Sequence, residues 1–287
     1  MAARGRGVAV LVVAYGSPAL LRQALSSVTA FEVVVVDNSS DGAVEEVVRA
    51  AGGRYLDPGR NLGFGAGVNV GLAELADRVP DADVLVLNPD AVISAESVLA
   101  LHDALLSEPR TAAVSPCLLD AQERSSRVTW PWPSPLGAFV EAVGLGSRQT
   151  DVWLVGAVLL LRREAVTAIG GFDERFFLYA EETDWQRRAA AAGWSLSVAP
   201  DITAVHIGAA TSSDPRAREL LFYAGQETYV RKWFGSRGWL LFRAASAVGA
   251  SVRALLLPRA RRFHSRRLVM YVRGPRTMAT QAGLLPH

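Results

Sequence analysis

Between Val8 and Leu118 the chain alternates continuous apolar runs with stretches whose apolar residues recur every three or four positions. Val8–Ala14 is an unbroken, largely β-branched run, and 32–36, 54–56, 84–87 and 114–118 repeat the pattern more briefly. Such runs predict strands covered on both faces. Between them, residues 18–29 carry Leu20, Leu21, Ala24, Leu25 and Val28 on one helical face. Residues 44–51 do the same with Val44, Val47 and Val48 before Gly52-Gly53 stops the helix. Segments 65–75 and 96–106 read as further helices. This alternation predicts an α/β fold with a mostly parallel central sheet flanked by helices. Ligands of such sheets sit beyond the carboxyl ends of the strands, and here those ends carry Tyr15, Asp37 and Asn88-Pro89-Asp90.

The second half is less regular. Residues 121–148 are rich in Pro, Gly and Trp and predict an irregular flap, 153–162 returns to a strand pattern and 183–192 to a helix. Segment 239–257 is apolar but interrupted by Arg243 and Arg253, which argues against a spanning helix. No internal repeat is present. The basic start, MAARGRG, precedes an apolar run too short for a signal core, so that run reads as the first strand.

Charge is distributed unevenly. The net charge is +2, but 12 Arg or Lys residues and no acidic residue lie between Arg231 and His287. That leaves 18 basic against all 28 acidic residues in the rest of the chain. An acidic body with a basic tail predicts an anionic partner such as a phospholipid surface. No nucleic-acid motif accompanies the charge, so nucleic acid is not expected. Cys117 is the single cysteine, which excludes an internal disulfide and fits a cytoplasmic location.

Five segments bear chemistry. Asp37-Asn38-Ser39-Ser40-Asp41 follows a buried strand and places a carboxylate where a base or ribose can be held, although the same residues make ordinary turns. The run from Arg60 through Asn61, Gly63, Phe64, Gly65, Ala66 and Gly67 to Asn69 allows close backbone approach to a ligand at a helix start. Asn88-Pro89-Asp90 offers hard oxygen ligands for Mg²⁺ or Mn²⁺ against a diphosphate, and is also strong turn chemistry. Glu181-Glu182-Thr183-Asp184 crowds three carboxylates behind Phe176-Phe177-Leu178-Tyr179, an arrangement suited to a general base but also to a helix N-terminus. His206 is one of four histidines, and a lone histidine is more often structural unless a second ligand lies near it.

In this order, and with the block Gly170-Gly171-Phe172-Asp173-Glu174-Arg175-Phe176-Phe177-Leu178-Tyr179 leading into Glu181-Glu182-Thr183-Asp184-Trp185, the segments resemble glycosyltransferase family 2 in its bacterial rhamnosyltransferase-like branch. The resemblance spans roughly residues 8–234. It implies a GT-A fold over 1–237, with a donor half at about 1–118 and an acceptor half at about 119–237, followed by a basic amphipathic segment at 238–287. It also implies metal-dependent, inverting transfer of rhamnose or another hexose from dTDP-rhamnose or a UDP-sugar. The acceptor would be a hydroxyl on a polyprenyl-diphosphate-linked or cell-envelope glycan. Tyr15 and Asp37 would line the base and ribose pocket. Asn61, Gly63, Phe64, Gly65, Ala66, Asn69 and Asn88 would shape the nucleotide-sugar site, and Asp90 with His206 would face the metal or diphosphate. Trp153 and Gly156 would lie on the acceptor and sugar side. The base is expected at Glu182, with Glu181 second and Asp184 an orienting or structural carboxylate. The enzyme would work in the cytoplasm at the inner face of the cell membrane, held by the C-terminal arginines, and an oligomer is compatible with the sequence. A sugar nucleotidyltransferase or a non-catalytic nucleotide-sugar-binding scaffold are the alternatives. The first is disfavoured because Tyr15-Gly16-Ser17-Pro18 supplies no basic, Gly-rich loop after the first strand.

Overall fold

A computed structural model describes residues 7–145, 152–208 and 214–285. The first half follows the hydrophobic pattern closely, as β1 (Val8–Ala14), α1 (Pro18–Ser26), β2 (Glu32–Asp37), α2 (Gly42–Ala50), β3 (Arg54–Leu56), α3 (Phe64–Arg78) and β4 (Asp83–Leu87). The short β5 (Ala91–Val92), then α4 (Ala95–Ser107) and β6 (Thr111–Leu119), complete it. The segment expected to be irregular, 121–148, holds β7 (Ser125–Ser126), β8 (Thr129–Pro131) and α5 (Pro135–Ala142), and its residues 146–148 lie outside the described ones. Ser134 caps α5, its hydroxyl accepting from Gly137 N–H, and Pro135 sits in the first turn where its missing N–H costs nothing. The strand expected over 153–162 is two strands, β9 (Val152–Leu154) and β10 (Val158–Leu161), parted around Gly156. Then follow α6 (Arg163–Ile169), α7 (Glu181–Ala191), β11 (Ser195–His206) and α8 (Pro215–Leu256). A short 3₁₀ turn leads to α9 (Arg261–Arg273) and α10 (Pro275–Gln281).

Among the described residues, nine strands form one sheet in the order β3-β2-β1-β4-β10-β6-β11-β5, with β7 paired to β6. β8 and β9 form a separate pair. Pairing is parallel along β3-β2-β1-β4 and between β6 and β11, but β10 enters antiparallel to both β4 and β6. The sheet is therefore mixed: β10, β5 and β7 add antiparallel pairs to the expected parallel framework of β3-β2-β1-β4 and β6-β11. Successive β1 side chains feed opposite layers: Val8, Val10 and Val12 pack against α1 and α2, while Leu11 and Val13 pack against α3. Burial on both faces is why β1 shows no polar alternation.

The chain divides into two compact units. The first comprises Met1–Trp130, Trp153–Glu174 and Glu181–Ser213, and the second Pro131–Val152, Arg175–Ala180 and Asp214–His287. The second unit contains all of 238–287 and adds α5, a hexapeptide and the first half of α8. Its own core is aromatic, with Phe176, Tyr223, Tyr229, Trp239, Phe242 and Tyr271 buried together.

Candidate active site

Because β1, β2 and β4 are parallel neighbours, Tyr15, Asp37 and Asn88 emerge at one edge of the sheet. Tyr15 is 53% exposed, an aromatic ring presented to solvent at that edge. Asp37 is fully buried, and its carboxylate organises the loop around it. It accepts from Ser39 N–H and Asp41 N–H, each at 2.9 Å, from the Ser39 hydroxyl, and from the Tyr55 hydroxyl at 3.0 Å. Ser39 Oγ in turn accepts from Gly16 N–H at 2.9 Å, which joins the β1 and β2 loops. Burial and the hydrogen bond to Asp37 push the Tyr55 phenol above its ordinary range, so it stays protonated and donating.

Asn38 connects this edge to α3, its Nδ2 donating to the Gly63 carbonyl at 2.9 Å. Gly63, at φ 86°, occupies a backbone region that favours glycine and starts α3. Asn61 closes the turn before it, Oδ1 accepting from Gly63 N–H at 2.9 Å. The glycines beyond also serve packing. A Cβ on Gly67 would lie 2.8 Å from Val13 Cγ1, and one on Gly71 2.0 Å from Leu11 Cδ1, so both let α3 lie tightly on β1. Gly65 faces Glu181, whose Cβ would be 3.3 Å away, which brings the start of α3 against the start of α7. Ala66 is buried and Phe64 packs into the core on that side of the sheet.

Asn69, expected at the nucleotide-sugar site, holds a neighbouring loop. Its amide holds the backbone of Phe172, accepting from the N–H at 2.7 Å and donating to the C=O at 2.9 Å. Its Nδ2 also reaches Glu174. Lying one turn into α3, it clamps the Gly170-Gly171-Phe172 loop, and a Cβ on Gly171 would strike its Oδ1 at 2.4 Å.

The acidic helix α7 is anchored at several points. Asp184 is fully buried and pairs with Arg188 Nε at 3.0 Å. Arg188 also donates to the Ile169 and Gly171 carbonyls, so Asp184 fixes the helix to the glycine loop, a structural role. Trp185, also fully buried, stacks on Phe172 with centroids 5.9 Å apart and donates its indole N–H to the Gly170 carbonyl. Gln186, which the sequence reading missed, accepts from Leu154 N–H at 2.7 Å and donates to Leu154 C=O at 2.8 Å. This amide pair docks α7 on β9, next to Trp153 and two residues before Gly156. A Cβ on Gly156 would lie 3.0 Å from Glu182 Cγ, so the break between β9 and β10 makes room for Glu182. The indole N–H of Trp153 is buried with no hydrogen-bond partner among the described residues.

From Gly156 the contacts run to the metal-ligand candidates. The Ala157 carbonyl accepts from Asn88 N–H at 2.9 Å. Two residues on, Asp90 is only 4% exposed, and its Oδ1 lies 3.4 Å from His206 Nε2. The pairing of β5 with β11 produces this, placing His206 opposite Ala91 while Ile207 N–H donates to the Asp90 carbonyl. A buried carboxylate beside an imidazole suits Mn²⁺ or Mg²⁺, which keep open positions for water and phosphate oxygens. Among the described residues, no group of three or more His, Cys, Asp or Glu forms a complete cage. Tyr15, Asp37, Gly63, Glu181, Glu182, Gly156, Asn88, Asp90 and His206 thus belong to one connected edge of the first unit.

The segment before α7 is strained. Tyr179 and Ala180 both adopt left-handed φ, at 69° and 71°. Such backbone costs a non-glycine residue about 1–2 kcal/mol. Such strain gathers where function demands a fixed geometry.

Known proteins resemble the chain in sequence and in fold. The profile described as "Glycosyltransferase like family 2" matches residues 5–228. An N-acetylglucosaminyl-diphospho-decaprenol L-rhamnosyltransferase of Mycobacterium tuberculosis is 32% identical over 235 residues, covering 72% of this chain and 76% of that protein. Among solved structures, the mannosyltransferase PcManGT from Pyrobaculum calidifontis, in complex with GDP-Man and Mn²⁺, superposes with a TM-score of 0.56 at 18% identity, covering 98% of this chain and 85% of its own. Glucosyl-3-phosphoglycerate synthase from Mycobacterium tuberculosis, solved with Mn²⁺ and UDP, gives 0.54 at 17% identity, covering 78% and 80%. These likenesses carry the GT-A fold, and with the family profile spanning well over half of its length, the chain belongs to glycosyltransferase family 2 and is a glycosyltransferase.

Proposed function

We propose that the enzyme transfers L-rhamnose, or a closely related hexose, from a nucleoside diphosphate to a hydroxyl of a polyprenyl-diphosphate-linked acceptor, with inversion at the anomeric carbon. The observation that carries the reading is the run of contacts from Glu182 through Gly156 and Ala157 to Asn88, Asp90 and His206. The mycobacterial rhamnosyltransferase, whose name specifies a decaprenol-linked acceptor, supports the choice of sugar and acceptor class.

The roles follow from chemistry. Tyr15 stacks on the base, and the loop held by Asp37 forms the floor of the nucleoside site. Asp90 and His206 would hold a divalent cation, which supplies neutralising charge to the departing diphosphate. Glu182 removes the proton of the acceptor hydroxyl, which then attacks the anomeric carbon from the face opposite the diphosphate. One displacement inverts the configuration, so no protein nucleophile is required. The Trp153 indole offers a donor to a sugar hydroxyl. The basic C-terminal residues hold the enzyme at an anionic, cytoplasmic membrane face where a lipid-linked acceptor resides.

Nucleoside diphosphate release from dTDP-L-rhamnose and other nucleotide sugars, with Mn²⁺ or Mg²⁺, tests the reading. Glu182→Gln is expected to bind donor and lose turnover, and Asp90→Ala to lose metal-dependent donor binding. Pyrophosphate release, or donor binding by Asp90→Ala with unchanged metal dependence, would overturn it. Full activity in Glu182→Gln would move the base to Glu181.

A further inference from the structure

Beyond a kink at Gly235, where φ is 67°, α8 carries apolar side chains on its outer face as well as on its buried one. Trp239 and Phe242 face the aromatic core of the second unit. On the other side Leu241, Val248, Val252 and Leu255 are exposed, Leu255 by 78%. At 3.6 residues per turn these four fall within a sector about 60° wide and about 21 Å long. The arginines that interrupt this segment in sequence lie outside the stripe. Arg243 donates to the carbonyls of Tyr271 and Val272 in the last turn of α9, and Arg253 to the carbonyl of Glu141 in the last turn of α5. Both are spent on helix C-termini, where a cation is favoured.

α5 presents a second stripe. Leu136, Phe139 and Val143 also fall within about 60°, and Leu136 and Phe139 are 69% and 59% exposed. The helix flanks the α8 stripe. A Cβ on Gly249 would lie 3.1 Å from Ala142 Cα, and one on Gly238 3.6 Å from Pro135 Cγ, both about a quarter-turn from the stripe's centre. Glu141, the one acidic residue of 131–145, is 3.4 Å from Arg267 and 3.8 Å from Arg253. Arg259, Arg261, Arg262 and Arg266 follow directly and are exposed.

We propose that α5 and the outer stripe of α8 enter the headgroup–acyl boundary of an anionic bilayer together. The proposal rests on the membrane contact argued above and assigns it a two-part surface. An apolar strip bordered by exposed arginines, of which Arg266 is paired with Glu219 at 3.6 Å, matches an anionic lipid surface in both hydrophobicity and charge. α8 is long and apolar enough to cross a membrane by length and composition. Spanning, however, would strip Arg243 and Arg253 from their carbonyls inside hydrocarbon, so the helix lies in the membrane plane.

The test is sedimentation of the full chain with phosphatidylcholine vesicles, with and without phosphatidylglycerol. Wild-type protein is expected to bind the anionic vesicles. L136E/F139E is expected to bind them at least about tenfold more weakly with unchanged thermal melting. An environment-sensitive dye on Leu136→Cys, in a Cys117→Ser background, is expected to shift to the blue on anionic vesicles. Wild-type protein that ignores anionic vesicles would overturn the membrane reading itself. Binding by wild type and L136E/F139E alike, with no dye shift, leaves membrane contact standing and removes α5 from it. A solution dimer that L136E/F139E dissociates without altering vesicle binding would show the patch to be a self-association surface and refute the proposal.

Discussion

Adding one methyl group at Gly156 probes the geometry around Glu182 more sharply than removing a carboxylate. Gly156 does not have positive φ, so alanine there carries no backbone strain. Its Cβ would meet Glu182 Cγ at 3.0 Å and Cβ at 3.3 Å. Carbon atoms rest about 3.5–4.0 Å apart, so the glutamate must retreat by about 0.5–1 Å. The residue is half-buried and a glutamate can yield by turning about its side-chain bonds, which puts the stability cost at the low end of overpacking, about 1 kcal/mol, or about 2–4 °C in Tm. Proton transfer is far less tolerant, because misplacement of about 1 Å costs up to about 100-fold in rate. Gly156→Ala is therefore expected to lower kcat about 10- to 100-fold while the donor Kd stays within about threefold. Nucleoside diphosphate release under saturating donor, with donor titration by calorimetry alongside, measures both. Turnover within about twofold of wild type, or a loss of donor affinity as large as the loss in kcat, would refute the placement of Glu182 as the base beside Gly156.

Three further outcomes follow from packing and charge. Gly71→Ala drives a methyl group into Leu11, fully buried in the central strand, and is expected to cost about 3 kcal/mol. A urea midpoint equal to wild type would contradict the tight α3–β1 approach. Gln186→Leu orphans the Leu154 N–H and C=O at about 1–3 kcal/mol each. It should lower Tm by several degrees, and a melt indistinguishable from wild type would show that α7 is held by other contacts. Burial, with Arg267 and Arg253 nearby, holds the His264 imidazole below its ordinary pKa. The unfolded chain then binds the extra proton, so stability rises with pH and is lost on acidification through about pH 6.5. His264→Gln should flatten that part of the Tm profile, and an unchanged slope would assign it to other groups.

The strands and first-half helices were legible because each buries a long apolar run or one strongly apolar face, as Val8–Ala14 and Val44, Val47 and Val48 do. β11 was not, since its faces are polar and half-exposed and Pro200-Asp201 interrupts its register with β6. The acidic and glycine segments were legible as chemistry, but not the division of labour within them. Asn69 looks like a ligand-facing group in sequence and Asp184 like an orienting or structural carboxylate, and only the fold shows that both hold the Gly170-Gly171-Phe172 loop, Asp184 through Arg188. Gln186 resembles any polar helical residue until its amide meets Leu154. Such assignments depend on which partner lies across a fold, and local sequence carries no trace of a partner about 30 or 100 residues away.

The backbone passes between the two units five times, near residues 130, 152, 174, 180 and 213. Neither unit is a continuous stretch, so neither can be excised by choosing two end points. Their pairings close loops of many tens of residues, which predicts slow, mutually dependent folding. Deleting the basic C-terminal stretch would also strip α5 of the helix it packs on, and so would dismantle a core along with the positive charge. Point substitutions on the exposed stripes keep that core intact, and they are the means by which surface and scaffold can be told apart in this enzyme.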